Sequence, residues 1–214
     1  MEILYEDSAV TVVLKPVGLI SERSAQEDSL AELLARRNGG YVGVIHRLDR
    51  GVGGVMVYAK TQAAAKELSL QVQNRTMEKE YLALVHGVPT PACDTLRDLL
   101  FHDRIRNKSF VVDRKRQNVK EAILSYQTEK TVTVSPYGTL SLVRVALLTG
   151  RTHQIRVQFS HRGHPLLGDG KYGARDACDI GLFCTRICFT HPVTHERLTF
   201  SHTPTEGAWE LFED

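Results

Sequence analysis

Residues 121–148 read EAILSYQTEKTVTVSPYGTLSLVRVALL. Two stretches rich in apolar and β-branched residues, 130–135 and 139–148, flank Pro136-Tyr137-Gly138, whose proline and glycine suit the reversal of a hairpin. A third stretch, 121–128, leads into them. Working outward, the same kind of run recurs at 81–86 (YLALVH), 53–59 (GGVMVYA) and 9–14 (AVTVVL), and again at 182–190 and 197–202. Lys15-Pro16-Val17-Gly18 ends the first of these as a turn. Helical patterns are few. Ser29 and Glu32 form a capping-box pair, Leu30, Leu33 and Leu34 share a face, and Gly39-Gly40 stop a helix over 29–37. Thr61 suits the N-cap of a second helix near 62–77, with Ala65, Leu68 and Val72 on one face. Many adjacent strands with few helices between them predict an α+β fold, a mixed, mostly antiparallel β-sheet core with flanking helices. Segment 152–162, THQIRVQFSHR, reads two ways. Ile155, Val157 and Phe159 alternate as in a strand, yet Thr152 suits a helix cap and Gly163 and Pro165 a helix stop.

The chain has 214 residues, long enough to bury a core without disulfides or a metal. No repeat, low-complexity tract or Gly/Ser linker divides it, so one domain over 1–214 is expected. Lys and Arg number 27 against 25 Asp and Glu, and this near-balance does not by itself mark a nucleic-acid binder; the placement of the charges matters more. No run of about 18 apolar residues is present, which argues against a membrane-spanning helix. The N-terminus, MEILYEDSAVTVVLKPVG, lacks the basic start and apolar stretch of a signal peptide. With four cysteines expected as thiols, the reading is a cytoplasmic protein.

Four local sequences stand out. Val44-Ile45-His46-Arg47-Leu48-Asp49-Arg50-Gly51-Val52-Gly53-Gly54-Val55 sets one acid between two arginines before a glycine-rich strand entry, where the backbone can turn tightly or approach a ligand. A solvated loop with a surface ion pair is the plainer reading. Gly150-Arg151-Thr152-His153-Gln154-Ile155-Arg156 gathers donors suited to phosphates and base edges, or the polar face of a helix. Tyr81 opens an apolar strand, where a ring more often fills a core than faces a ligand. Arg104, Arg106, Lys108, Arg114, Lys115, Arg116 and Lys120, with Phe110 among them, are opposed only by Asp103, Asp113 and Glu121. Such a segment suits a strand pair lying along a phosphate backbone, or an exposed hairpin that is merely soluble. Cys184, Cys188, His191 and His195 compete as a metal site, but no CxxC pair exists and core packing on a strand explains the cysteines more simply.

Taken together, these segments resemble the RluA-type family of RNA pseudouridine synthases. The likeness is carried by Ile3-Leu4-Tyr5-Glu6-Asp7, Lys15-Pro16-Val17-Gly18, His46-Arg47-Leu48-Asp49, Glu80-Tyr81-Leu82-Ala83 and Val119-Lys120-Glu121-Ala122. It continues through Gly150–Val157, Gly163-His164-Pro165-Leu166-Leu167-Gly168-Asp169 and Thr190-His191-Pro192. The resemblance implies isomerisation of uridine in rRNA or tRNA, without cofactor or metal. It implies Asp49 as the nucleophilic carboxylate, Arg156 as its basic partner, and Tyr81 as the ring against the target base. Arg47 takes the position that fills the gap left by the flipped nucleotide. It favours a short helix for 152–162 with Arg156 directed at Asp49, and a central cleft in the sheet. Relatives usually carry Thr-Ser-Gly where this chain has Val52-Gly53-Gly54, and histidines or alanine at Gln158 and Phe183-Cys184. The pattern begins at the first strand, so no S4-type RNA-binding domain is expected in front, and the partner is an RNA stem-loop met by a monomer. The rival readings are a non-catalytic RNA-binding module on the same scaffold and a metal-dependent hydrolase built on the Cys/His cluster.

Overall fold

The computed structural model describes residues 1–24 and 28–213. In chain order the elements are β1 (Glu2–Glu6), β2 (Val10–Lys15), α1 (Leu30–Asn38), β3 (Gly43–Val44), β4 (Gly53–Ala59), α2 (Gln62–Gln73) and β5 (Glu78–His86). There follow β6 (Cys93–Asp103), β7 (Lys108–Val112), β8 (Val119–Val134), β9 (Gly138–Leu147), α3 (Gln154–His161), β10 (Leu182–Thr190) and β11 (Arg197–Ser201). They form two compact units, Met1–Lys79 with Phe183–Thr203, and Glu80–Leu182 with Pro204–Asp214.

In the first unit β2 pairs antiparallel with both β1 and β4, β3 pairs antiparallel with β4, and β11 pairs antiparallel with β10. β4 and β10 run parallel, matching Gly53 with Phe183 and Gly54 with Cys184. This pair makes the sheet mixed. Every residue of β4 is buried, as expected of a strand enclosed on both faces. Val10, Val12, Val55, Val57, Leu68, Ile187 and Phe189 form the core here. Gly54 shows why the strand entry needs glycine. Its φ is +133°, and a Cβ would lie 2.4 Å from the Cys184 carbonyl oxygen.

α1 forms where its sequence places it. Ser29 Oγ accepts the Glu32 amide at 3.2 Å, the Glu32 carboxylate accepts the Ser29 amide at 3.1 Å, and Gly39 closes the helix at φ 64°. α2 starts at the expected Thr61 cap but ends at Gln73, short of the predicted 77. Arg75 adopts φ 60°, which breaks the helix and turns the chain into β5.

The second unit is antiparallel throughout, with β5 on β9, β9 on β8, β8 on β6 and β6 on β7. The predicted breaks around residue 129 vanish, because β8 runs through it with a register shift between Thr128 and Lys130. A β-bulge absorbs the extra residue without ending the strand. β6 and β7 are strands that periodicity did not indicate beyond the basic segment itself. The ambiguous 152–162 stretch is helical, and six consecutive residues of α3, Gln154–Phe159, are buried. Thr152 does not cap it. The cap position is His153, at φ 55° with no side-chain cap bond, and Gln154 Oε1 accepts the Arg151 amide instead.

Candidate active site

In the first unit, Asp49 sits half-buried in the loop between β3 and β4. The loop is pinned from several sides. Leu48 is buried, and the Ser21 hydroxyl accepts its amide at 3.1 Å while donating to its carbonyl at 2.8 Å. The Val52 amide donates to the Asp49 carbonyl at 3.0 Å, closing a tight turn. The Gly18 amide donates to the Arg50 carbonyl, and Arg50 Nε returns a bond to the Gly18 carbonyl at 3.1 Å. The KPVG turn therefore braces the acid-bearing turn.

His46, just upstream, is buried, and its Nε2 accepts the Val57 amide at 3.2 Å. That bond requires a neutral ring. Burial holds its pKa well below the usual imidazole value, and the Lys79 charge adds to the effect.

Lys15 is the residue the sequence reading passed over as part of a turn. Its side chain is fully buried, and Nζ donates to the carbonyls of Val52 at 2.8 Å, Pro16 at 2.9 Å and Arg50 at 3.4 Å. Burial lowers its pKa to about 8, and the Asp49 charge opposes the shift. A cation thus underlies the turn that presents the carboxylate. The signal for it was a lysine ending the apolar run VTVVLK. Arg47 lies on the same loop with its side chain exposed, paired with Glu22.

In the second unit, Tyr81 is buried on β5 opposite Val145 of β9. Arg156 is buried on α3. Its Nε donates to Asp169 Oδ2 at 2.7 Å and its Nη2 to Oδ1 at 2.8 Å, a bidentate pair with a fully buried carboxylate. Tyr172 lies beneath it, with the Arg156 guanidinium 5.2 Å from the ring centroid. The Tyr172 hydroxyl accepts the Ser109 amide at 2.8 Å and meets His153 Nδ1 at 2.9 Å. Asp169 and Tyr172 thus fix the plane of Arg156. Sequence reasoning quoted Asp169 only as part of a motif and did not assign it to Arg156.

Of the Cys/His cluster, Cys184, Cys188 and His191 pack as protein interior, whereas His195 is exposed. Cys184 and Cys188 are buried on β10, and Thr199 Oγ1 lies 3.1 Å from Cys188 Sγ. His191 Nδ1 accepts the Thr194 amide at 3.0 Å, and its Nε2 lies 2.8 Å from Asp7. Among the described residues no group of three or more His, Cys, Asp or Glu is placed to hold a metal ion.

The chain is similar to known proteins in sequence and in fold. The sequence model of a family described as RNA pseudouridylate synthase matches residues 9–161. An uncharacterized RNA pseudouridine synthase of Mycoplasma genitalium is 32% identical over 96% of this chain and 67% of its own length. The tRNA pseudouridine synthase C of Pasteurella multocida is 34% identical over 93% of this chain and 89% of its own. Among solved structures, human RNA Pseudouridylate Synthase Domain Containing 1 superposes with a TM-score of 0.79 at 24% identity, over 95% of this chain and 83% of that one, a likeness of fold.

Proposed function

The chain belongs to the RNA pseudouridylate synthase family, and from that premise we propose that residues 1–214 act as one catalytic domain that converts uridine in a stem-loop of rRNA or tRNA to pseudouridine, with Asp49 as nucleophile. The N-glycosidic bond from N1 breaks, the uracil turns, and its C5 bonds to the ribose; C5 gives up its proton and N1 takes one, so the product is an isomer of the substrate. The step is redox-neutral and needs no group donor. The reading includes a monomeric, cytoplasmic enzyme; no helix among the described residues is long and apolar enough to cross a membrane.

The observation that carries the proposal is the braced turn of Asp49 above the buried Lys15 ammonium. A nucleophilic carboxylate must stay ionised as it leaves water, and a neighbouring cation opposes the rise in pKa that burial brings. Holding the turn on both sides limits the angles from which the carboxylate approaches its target. Arg156 serves as the second cation of the carboxylate, kept in one orientation by Asp169 and Tyr172. Tyr81 offers a flat face to the uracil, and Arg47 takes the space vacated by the everted base, where its planar guanidinium stacks and donates. Extrusion costs a few kcal/mol, least in a loop, which favours a stem-loop substrate.

The test is tritium release from RNA labelled at uridine C5. The wild-type chain releases tritium, and Asp49→Asn abolishes release while RNA affinity stays within about threefold. A wild-type chain that binds RNA and releases none is a binding module. Asp49→Asn with near wild-type turnover removes the nucleophile assignment.

A further inference from the structure

The basic segment singled out in the sequence folds into a defined surface of the second unit. β6 and β7 form a two-stranded ribbon whose turn, 104–107, is exposed. Asp103 Oδ1 accepts the amides of Ile105 and Arg106 at 3.0 Å each, and Lys171 Nζ donates to the Asn107 carbonyl at 3.1 Å. The turn is therefore built, and it holds Ile105 at its tip with 98% of its surface exposed. β7 and β8 pair with opposite edges of β6, so the 113–118 connection carries the chain from one edge of β6 to the other. All six of its residues are exposed.

The cations of this surface lie against aromatic rings. Phe101 faces Phe110 across the ribbon. The Arg116 guanidinium lies 5.2 Å from the Phe101 centroid, and Lys108 Nζ lies 5.8 Å from Phe110 and 5.1 Å from Tyr172. Arg106 meets Asp103 at 3.7 Å, whereas Arg104, Lys108, Arg114, Lys115, Arg116 and Lys120 form no ion pair among the described residues. In the same unit Arg162 pairs with Asp98 and Arg144 with Glu129. Unmatched cations kept apart by a folded ribbon repel one another and gain energy only when a polyanion approaches. A ribbon with cations along it and an apolar residue at the end fits a phosphate backbone with a wide, shallow groove beside it, which describes helical RNA.

We infer that the β6–β7 ribbon and the 113–118 connection form a docking arm for the phosphate backbone of structured RNA, with Ile105 as its apolar tip. This rests on the RNA-modifying reading above and names the surface that holds the substrate outside the catalytic residues. The same Tyr172 ring that takes Lys108 on the arm also lies against Arg156, so the arm is built onto the element that carries the proposed catalytic cation.

The test measures Kd for a uridine-containing RNA stem-loop across a salt series, with melting curves to verify that each variant is folded. Replacing Arg114, Lys115 and Arg116 together with Ala raises Kd about tenfold or more at moderate salt and reduces the slope of log Kd against log salt by about 2. Ile105→Ala raises Kd about fivefold and leaves the slope unchanged, since it removes apolar contact and no charge. Lys66→Ala, on the exposed face of α2, changes neither quantity. A folded triple variant with wild-type Kd and slope overturns the arm, and if the wild type still releases tritium the enzymatic reading stands without it. Equal losses for Lys66→Ala reduce the arm to general charge and also overturn it. A wild-type chain with no salt-dependent RNA binding sinks both readings.

Discussion

Asp169→Asn isolates what holds Arg156 in place. The carboxylate is fully buried and accepts both Nε and Nη2 of the guanidinium, at 2.7 and 2.8 Å. An asparagine keeps the volume but removes the charge and turns one acceptor into a donor facing an N–H. One of the two charge-assisted bonds is then lost, and a buried guanidinium is left without its counter-charge. Breaking a buried pair from one side costs about 3–5 kcal/mol. With an ordinary urea dependence of about 1–3 kcal/mol per M, the unfolding midpoint should fall by about 2 M. Trp209, the only tryptophan, lies in the same unit as the pair, so its fluorescence reports the relevant transition. The partner variant Arg156→Met and the double variant complete a cycle. The double variant should be more stable than the sum of the single losses by at least about 1.5 kcal/mol, because a neutral pair leaves no orphaned charge. A loss below 1 kcal/mol for Asp169→Asn, or an additive cycle, would refute the view that Asp169 exists to fix Arg156.

Two further perturbations test the other unit. Gly54→Ala should destabilise the protein by about 3 kcal/mol or more, because it combines a forbidden φ with a clash against backbone; φ is +133° and the Cys184 oxygen would lie 2.4 Å from the new Cβ. A melting temperature unchanged from wild type would show that the strand entry can relax. The His46 ring should stay neutral in an NMR titration through the range where an exposed imidazole titrates, because burial pushes its folded pKa well below the usual value. The unfolded chain then takes up the proton first as pH falls, so this contribution is present above the unfolded imidazole pKa of about 6.5 and shrinks progressively as pH falls below it. His46→Gln should flatten that part of the stability profile, and a His46 midpoint near 6.5 in the folded protein contradicts the reasoning.

What could be read from the sequence was what depends on near neighbours. The capping box of α1 spans four residues, and the alternation of β2 and the reversal at Pro136-Tyr137-Gly138 are equally local. What escaped depends on residues brought from far along the chain. β6, CDTLRDLLFHD, carries charges that obscure its alternation, and Asp98 is there because Gln158 and Arg162 reach it at 2.6 and 2.8 Å from α3. α2 was drawn too long because nothing before Arg75 announces its left-handed conformation. The site divides the same way. Asp49, Tyr81, Arg156 and Arg47 were named from motifs, whereas the pairing of Arg156 with Asp169 requires the chain to return through Pro165 and Gly168. The cage around Lys15 requires three carbonyls from two separate turns.

That difference between the two cations bears on how the carboxylate would be tuned. A guanidinium remains charged at any working pH, so Arg156 acts as a permanent charge. Asp169 neutralises much of it and takes the Nε–Nη2 edge, leaving Nη1 outside that fork. Lys15 is the opposite case. With a pKa lowered to about 8 it is still mostly protonated at neutral pH, with a far smaller margin than an ordinary lysine. Carbonyls supply its hydrogen bonds, and its charge acts on Asp49. A nucleophile needs to be ionised and yet remain reactive. A marginal, carbonyl-held cation beneath the Asp49 turn meets both needs more nearly than an unpaired arginine, which would hold the carboxylate ionised at the expense of its nucleophilicity.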